Sequence, residues 1–136
     1  MRTITVRLAQ PHEGPLVQRL FLNGGGPVYD WIDWNKVYPY WLIGEADGDA
    51  VGTVMVNPGT PFGRVEFLSV APDLDHAEKA VLCRDLCYAG VASCQQMGSQ
   101  AVMSNIDTGD GAWRQIAEKR GWVVTGEGAY MMKRCV

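Results

Sequence analysis

Polar and apolar residues alternate over residues 3–8, where Ile4, Val6 and Leu8 predict a half-buried strand. The period then changes. Leu16, Val17, Leu20 and Phe21 recur at helical spacing, so a helix opens between Pro11 and Glu13 and runs through Leu22. Asn23, three glycines and Pro27 stop it. Residues 28–40 are rich in aromatics without a clear period and predict a short helix or an ordered loop. Two apolar runs, 41–46 and 51–56, flank Asp47-Gly48-Asp49, a hairpin signal. A loop over 57–63 leads into a strand over 64–70, and Ala71-Pro72-Asp73-Leu74 marks a turn. A long helix follows from Asp75 to Gln96 and ends at Gly98. Asp75 and Glu78 have capping-box spacing, with Asp75 as N-cap and Glu78 reaching back to its N–H. Residues 101–104 predict a short strand, 107–111 a loop, and 112–120 a helix stopped by Gly121. Residues 122–125 and 129–133 predict a last hairpin around Gly126-Glu127-Gly128.

The order β-α-(α)-β-β-β-α-β-α-β-β describes a mixed sheet with helices on its faces, an α/β fold of the α+β kind. At 136 residues without repeats or a long linker, it predicts a single domain over 1–136. Hydrophobic residues make up 47% and charged residues 20%, which separates the chain from disordered and membrane classes. The net charge of −3 and the scatter of its 12 Lys and Arg offer no field for a polyanion, so no nucleic-acid partner is expected. Residues 1–8 lack the long apolar run of a signal peptide or a membrane span. A cytoplasmic protein with no membrane partner is the expectation.

Cys83, Cys87 and Cys94 fall within about 40° on a helical wheel, together with Leu82, Leu86, Gly90 and Val91. Small buried hydrophobes explain this stripe, and neither histidine completes a ligand set, so no metal is expected. Asp107-Thr108-Gly109-Asp110-Gly111 reads as a turn and N-cap, because the glutamate that would complete a calcium loop is missing. Six aromatics crowd into residues 29–41, with Asp30 and Asp33 between them. Tyr29, Asp30, Trp31 and Trp34 are what a site for a cationic amine would use. They serve equally as a lid over the sheet or as a contact in a homodimer. The junction at residues 70–76 runs a strand into a helix N-terminus, whose unpaired N–H groups suit an anion.

The element order is similar to that of the GNAT superfamily of N-acetyltransferases. Glu66-Phe67-Leu68-Ser69-Val70-Ala71-Pro72 resembles the family's fourth strand and the turn after it. Asp110-Gly111-Ala112-Trp113-Arg114-Gln115-Ile116-Ala117-Glu118-Lys119-Arg120-Gly121-Trp122 resembles its penultimate helix, which an Asn opens and Glu-Lys-x-Gly-Phe closes. The resemblance covers nearly the whole chain. It implies a mixed, mostly antiparallel sheet of six to seven strands flanked by about four helices, with acetyl-CoA as co-substrate and an amine, on a small molecule or a protein, as acceptor.

It also implies roles for particular residues. The family's phosphate loop, R/Q-x-x-G-x-G/A, falls on Asp75, Glu78 and Ala80, and only Ala80 fits. His76 and Lys79 supply nearby cationic or polar character. The strand backbone from Leu68 to Val70 would hold the pantetheine arm, with the Val70 N–H donating to the thioester oxygen. Asp110 stands where the family's Asn contacts that arm. Glu66 stands where members present a base, and reads alternatively as a strand residue paired with Arg64. The family's acidic Tyr is Ala117 here, leaving Tyr130 or Tyr88 to protonate the leaving thiolate.

Two functional readings follow. One is an N-acetyltransferase whose diphosphate loop carries two carboxylates. The other is a non-catalytic derivative that keeps the scaffold as a binding or assembly module, a role that would suit a phage or accessory-genome product.

Overall fold

The computed structural model describes residues 1–105, 111–126, 128 and 131–135. It divides into two compact units, Met1–Ser104 and Asn105–Val136.

The first unit is a five-stranded sheet in sequential order, β1 (Ile4–Leu8), β2 (Trp41–Ala46), β3 (Asp49–Asn57), β4 (Phe62–Val70) and β5 (Ala101–Met103). The first three pairings are antiparallel and the last is parallel. Two helices join the sheet, α1 (Gly14–Asn23) and α2 (His76–Gln96), with a single 3₁₀ turn at Trp34–Lys36. The β2–β3 hairpin turns on Asp47 and Gly48, with φ of 47° and 86°, a turn that only residues at ease with positive φ can make.

Alternation along the strands sorts the core into two layers. Trp41 and Ile43 face α1, where they pack with Val17, Leu20, Phe21 and Trp34. Leu42, Val54, Val56 and Val65 face the other way, onto Leu82, Leu86 and Cys94 of α2. The cysteine stripe therefore divides by depth, with Cys94 buried and Cys83 and Cys87 half-buried, while Cys135 is exposed. Burial pushes the Cys83 thiol up from its ordinary range. Gly98, at φ 97°, ends α2, with the Ser99 N–H donating to the Cys94 carbonyl at 3.0 Å and closing a Schellman cap. Among the described residues no helix is long and apolar enough to cross a membrane.

In the second unit, α3 (Gly111–Lys119) is closed in the same way by Gly121 at φ 90°, with Trp122 N–H donating to the Ala117 carbonyl at 3.1 Å. Arg114 and Glu118 pair along its surface at 3.2 Å.

Three expectations need correction. The sheet has five strands among the described residues rather than six to seven, and three α-helices with one 3₁₀ turn replace about four helices. The difference in strands lies in the expected last hairpin. Residues 122–126 form no strand, although Val123 and Val124 have strand composition; residues 127, 129 and 130 lie outside the described residues. A hairpin of that length gains little from its own two-strand ladder, so composition alone does not secure it. The expected β4 also starts earlier, at Phe62, because β5 pairs with Phe62, Gly63 and Arg64.

Candidate functional site

The site is set by where β5 stops. It runs beside β4 only from Phe62 to Arg64, opposite Ala101 to Met103. Beyond that point β4 continues to Val70 without β5 on that edge. Gly52 lies opposite Val70, and the Ala71 N–H donates to the Val51 carbonyl at 2.8 Å. Neighbouring residues in an antiparallel ladder turn their N–H groups to opposite sides, so the Val70 N–H aims away from β3, toward the edge that carries no strand there among the described residues. That edge presents a backbone donor to whatever enters there.

A bulge fixes which side chains flank it. Between β3 and β4 the register passes from Thr53 opposite Ser69 to Met55 opposite Glu66, which inserts one extra residue in β4. Phe67 takes the strain, with φ of 57°. A non-glycine residue there costs about 1–3 kcal/mol and is held by its surroundings. Its ring packs edge-on to Phe21 at 5.9 Å. Because of the bulge, Glu66 and Phe67 both face the α1 side, while Val65, Leu68 and Val70 pack toward α2.

Glu66 is 7% exposed. Arg64 Nε donates to its Oε1 at 2.8 Å, and Arg64 Nη2 converges on the same oxygen. The ion-paired reading of Glu66 thus describes this geometry.

At the start of α2, Asp75 Oδ1 accepts the Glu78 N–H at 2.8 Å, as an N-cap should. The reciprocal half of the capping box does not form. Glu78 is 5% exposed and turns to the segment just before β1, where Arg2 Nη2 donates to Oε2 at 2.8 Å and Arg2 Nε to Oε1 at 3.3 Å. The Arg2 hydrogen bonds hold the Glu78 carboxyl below its ordinary range against the opposing effect of desolvation. Ion pairing to a guanidinium outcompetes a neutral N–H as a use for that carboxylate. His76, Lys79 and Ala80 remain exposed on the same first turn.

The aromatic segment splits in depth. Trp34 is 8% exposed and packs on Phe21 at 5.6 Å and Trp41 at 5.9 Å. Its Nε1 has no hydrogen-bond partner among the described residues. Tyr29 is half-buried against Phe21, Trp31 packs edge-on to Tyr29 at 5.6 Å, and Asp30 is exposed. Core and rim are therefore continuous through Tyr29.

No protein-family model matches the sequence, and no curated protein matches it as a sequence relative. Solved structures do match. Aminoglycoside N-acetyltransferase AAC(6')-Iy, in complex with CoA, superposes with a TM-score of 0.76 at 15% identity, covering 99% of this chain and 97% of that one. Ard1 from Thermoplasma volcanium gives 0.70 at 16% identity, covering 90% and 84%. N-acetylglutamate synthase from Neisseria gonorrhoeae, complexed with coenzyme A and L-arginine, gives 0.72 at 16%, covering 93% of this chain and 28% of that one. The chain has the GNAT N-acetyltransferase fold. At these identities the likeness is one of fold.

Within this GNAT scaffold, the structure brings Glu66, Leu68 and Val70 onto one strand and His76, Lys79 and Ala80 onto the helix that follows it. Tyr29, Asp30, Trp31 and Trp34 lie together on the loop after α1, with Trp34 in the core beneath. Asp110 and Tyr130 lie outside the described residues. Sequence reasoning missed three contributors: Arg2, the bulge at Phe67, and Gly24. A Cβ on Gly24 would lie 2.9 Å from both Ser69 Cα and Val70 N, so this glycine lets the end of α1 press on β4 beside the open edge. The triple glycine was a signal for it; Arg2 had none.

Proposed function

We propose that the chain is an N-acetyltransferase, a single acetyltransferase domain over 1–136, that moves acetyl from acetyl-CoA to an amine. The observation that carries this reading is the open edge of β4 with the Val70 N–H aimed into it, on a fold shared with solved acetyltransferases. When bound, acetyl-CoA supplies the activated acetyl group. In this reading the Val70 N–H donates to the carbonyl oxygen where charge develops, and the Leu68 backbone aligns an extended arm. His76, Lys79 and Ala80 form the exposed turn that would meet the diphosphate. Asp75 fills one helix-end donor there, while Glu78 is drawn inward, so of these two carboxylates only that of Asp75 faces solvent.

Glu66 holds the acceptor ammonium and receives its proton, directly or through water. The acceptor nitrogen bonds to the acetyl carbon as the C–S bond breaks, and the thiolate takes up a proton, so a protonated amine yields an amide, a free thiol and one net proton. Tyr130 is the proton donor in this scheme and Asp110 a contact to the arm. Tyr29, Asp30 and Trp31 form the acceptor wall, and Trp34 supports it from the core beneath. AAC(6')-Iy with CoA, and a related aminoglycoside acetyltransferase in complex with sisomicin, support a small-molecule amine as the acceptor class.

The Arg64 contact on Glu66 favours a second reading, a non-catalytic binding module in which that carboxylate is simply structural. Thiol release separates the two. The enzyme reading predicts release of free CoA that depends on both protein and amine and falls in Glu66→Gln; no release with any amine, at acetyl-CoA concentrations that saturate the protein, supports the module.

A further inference from the structure

Among the described residues, one buried side-chain polar atom lacks a hydrogen-bond partner, the indole Nε1 of Trp34. Trp34 is 8% exposed, so this donor is sealed from solvent as well as unpaired. Its ring neighbours do not serve it. Phe21 and Trp41 meet the indole tilted at 41° and 56°, short of the edge-to-face arrangement that turns an N–H onto a ring. Natural folds pair nearly all buried donors, and an exception beside a binding surface asks what completes it. The indole lies one ring from the acceptor wall, since Trp34 and Tyr29 both pack on Phe21, at 5.6 and 6.3 Å.

We propose that the Trp34 N–H reads an oxygen of the acceptor, so that the amine substrate carries a hydroxyl or carbonyl group besides its reacting nitrogen. The inference rests on the acetyltransferase reading above. An indole N–H donates and cannot accept, so it matches a lone pair and has nothing to offer an ammonium. The buried donor and the reacting amine therefore call for different atoms of one molecule. Trp34 is held in place from below: Gly14, at the start of α1, sits directly against its carbonyl, where a Cβ would collide. Around it, Tyr29 and Trp31 pack edge-on at 5.6 Å, and the Ile32 N–H donates to the Tyr29 carbonyl at 3.3 Å, so these contacts let the rim move as a unit. Displacement of that rim from Phe21 by the entering acceptor uncovers the N–H. Because the donor is unpaired in the free protein, a bond to the acceptor adds affinity without breaking another. An acceptor without the oxygen leaves the donor as it was and gains nothing from it.

The test uses the full chain, acetyl-CoA, and amines paired with and without an oxygen: ethanolamine with propylamine, tyramine with phenethylamine, and glucosamine with cyclohexylamine. Thiol release should give a kcat/KM for the oxygen-bearing member about tenfold above its partner in at least one pair, the scale of one hydrogen bond gained outright. Trp34→Phe keeps an aromatic ring and removes the N–H; it should bring that ratio close to one, with circular dichroism checking the fold. Independently of activity, the favoured amine at saturation should move the Trp34 indole cross-peak of the parent chain downfield in a proton–nitrogen correlation spectrum, and its oxygen-free partner should not. Equal rates within every pair, a preference that survives Trp34→Phe, or an unmoved cross-peak would overturn the inference while leaving the acetyltransferase reading intact. Absence of acetyl-CoA binding by calorimetry would overturn both.

Discussion

Arg2 and Glu78, at opposite ends of a 76-residue separation in sequence, form a two-point ion pair that ties the start of the chain to the first turn of α2. Arg2 also lies 3.9 Å from Asp49 at the head of β3. The pair bears directly on the site. The GNAT resemblance places a glycine where Glu78 stands, and a glutamate side chain there would crowd and repel a diphosphate. Here the side chain turns inward onto Arg2 instead.

Disrupting either partner should therefore lower the melting temperature. Arg2→Ala and Glu78→Gln are each expected to destabilise, and the double variant should lose less than the sum, as coupled residues do. Because Arg2 holds the Glu78 carboxyl below its ordinary value, this contribution is present above about pH 4.3, the unfolded-state value, and is lost as pH falls through the lowered folded-state value. Additive losses in thermal melts would mean that the two side chains act independently.

Arg7 and Glu13 give a second, sharper acid response. Arg7 Nη1 and Nη2 donate to the Glu13 carboxylate at 2.6 and 2.7 Å, and these bonds bring its pKa down to about 2. A depressed carboxylate stabilises above its unfolded value of about 4.3 and loses that contribution between there and about pH 2. Glu13→Gln should be less stable at neutral pH and show a flatter dependence of melting temperature over that window. An acid profile parallel to the parent would refute the assignment.

The backbone donor can be removed without touching a side-chain contact to substrate. Val70→Pro deletes the N–H, and proline is tolerated where a strand edge has no partner. A loss of about 10²–10³ in kcat, the size seen for a lost oxyanion donor, is expected in steady-state assays with acetyl-CoA still bound. Val70→Ala serves as the control and should retain most of the rate. Comparable rates in the proline and alanine variants would remove Val70 from the mechanism.

Gly24→Ala probes the same edge from behind. Its Cβ would meet backbone of Ser69 and Val70, which can give way only if β4 shifts. Weaker acetyl-CoA binding is expected by calorimetry, with far less effect from Gly25→Ala on acetyl-CoA, since a Cβ there meets nothing within 4 Å. Gly25 has φ of 96°, so that control will cost some stability.

Much of the scaffold was legible because its signals are local. The Asp75 cap, the 3.6-residue period and Gly98 define α2, and Asp47-Gly48 defines the β2–β3 turn. The site was less legible because its decisive features are not local. Nothing in Glu66-Phe67-Leu68 announces a bulge, since aromatic residues seldom adopt positive φ and this one does so under tertiary packing. The spacing of Asp75 and Glu78 suggested a reciprocal capping box, and only the fold reveals that Arg2 takes the second carboxylate. Strand composition in residues 122–125 likewise lacked the information that decides pairing. Arg64 beside Glu66 was visible as a neighbour on one strand face, but not that two of its nitrogens converge on Oε1.

Calorimetric titration with acetyl-CoA tests the central claim most directly, namely that the open β4 edge and the α2 turn receive the coenzyme. The account predicts a dissociation constant below about 100 µM, or about −5.5 kcal/mol. Asp75→Asn should bind more tightly, because it keeps the cap and removes the solvent-facing charge. No binding by the parent chain at millimolar acetyl-CoA would contradict the account.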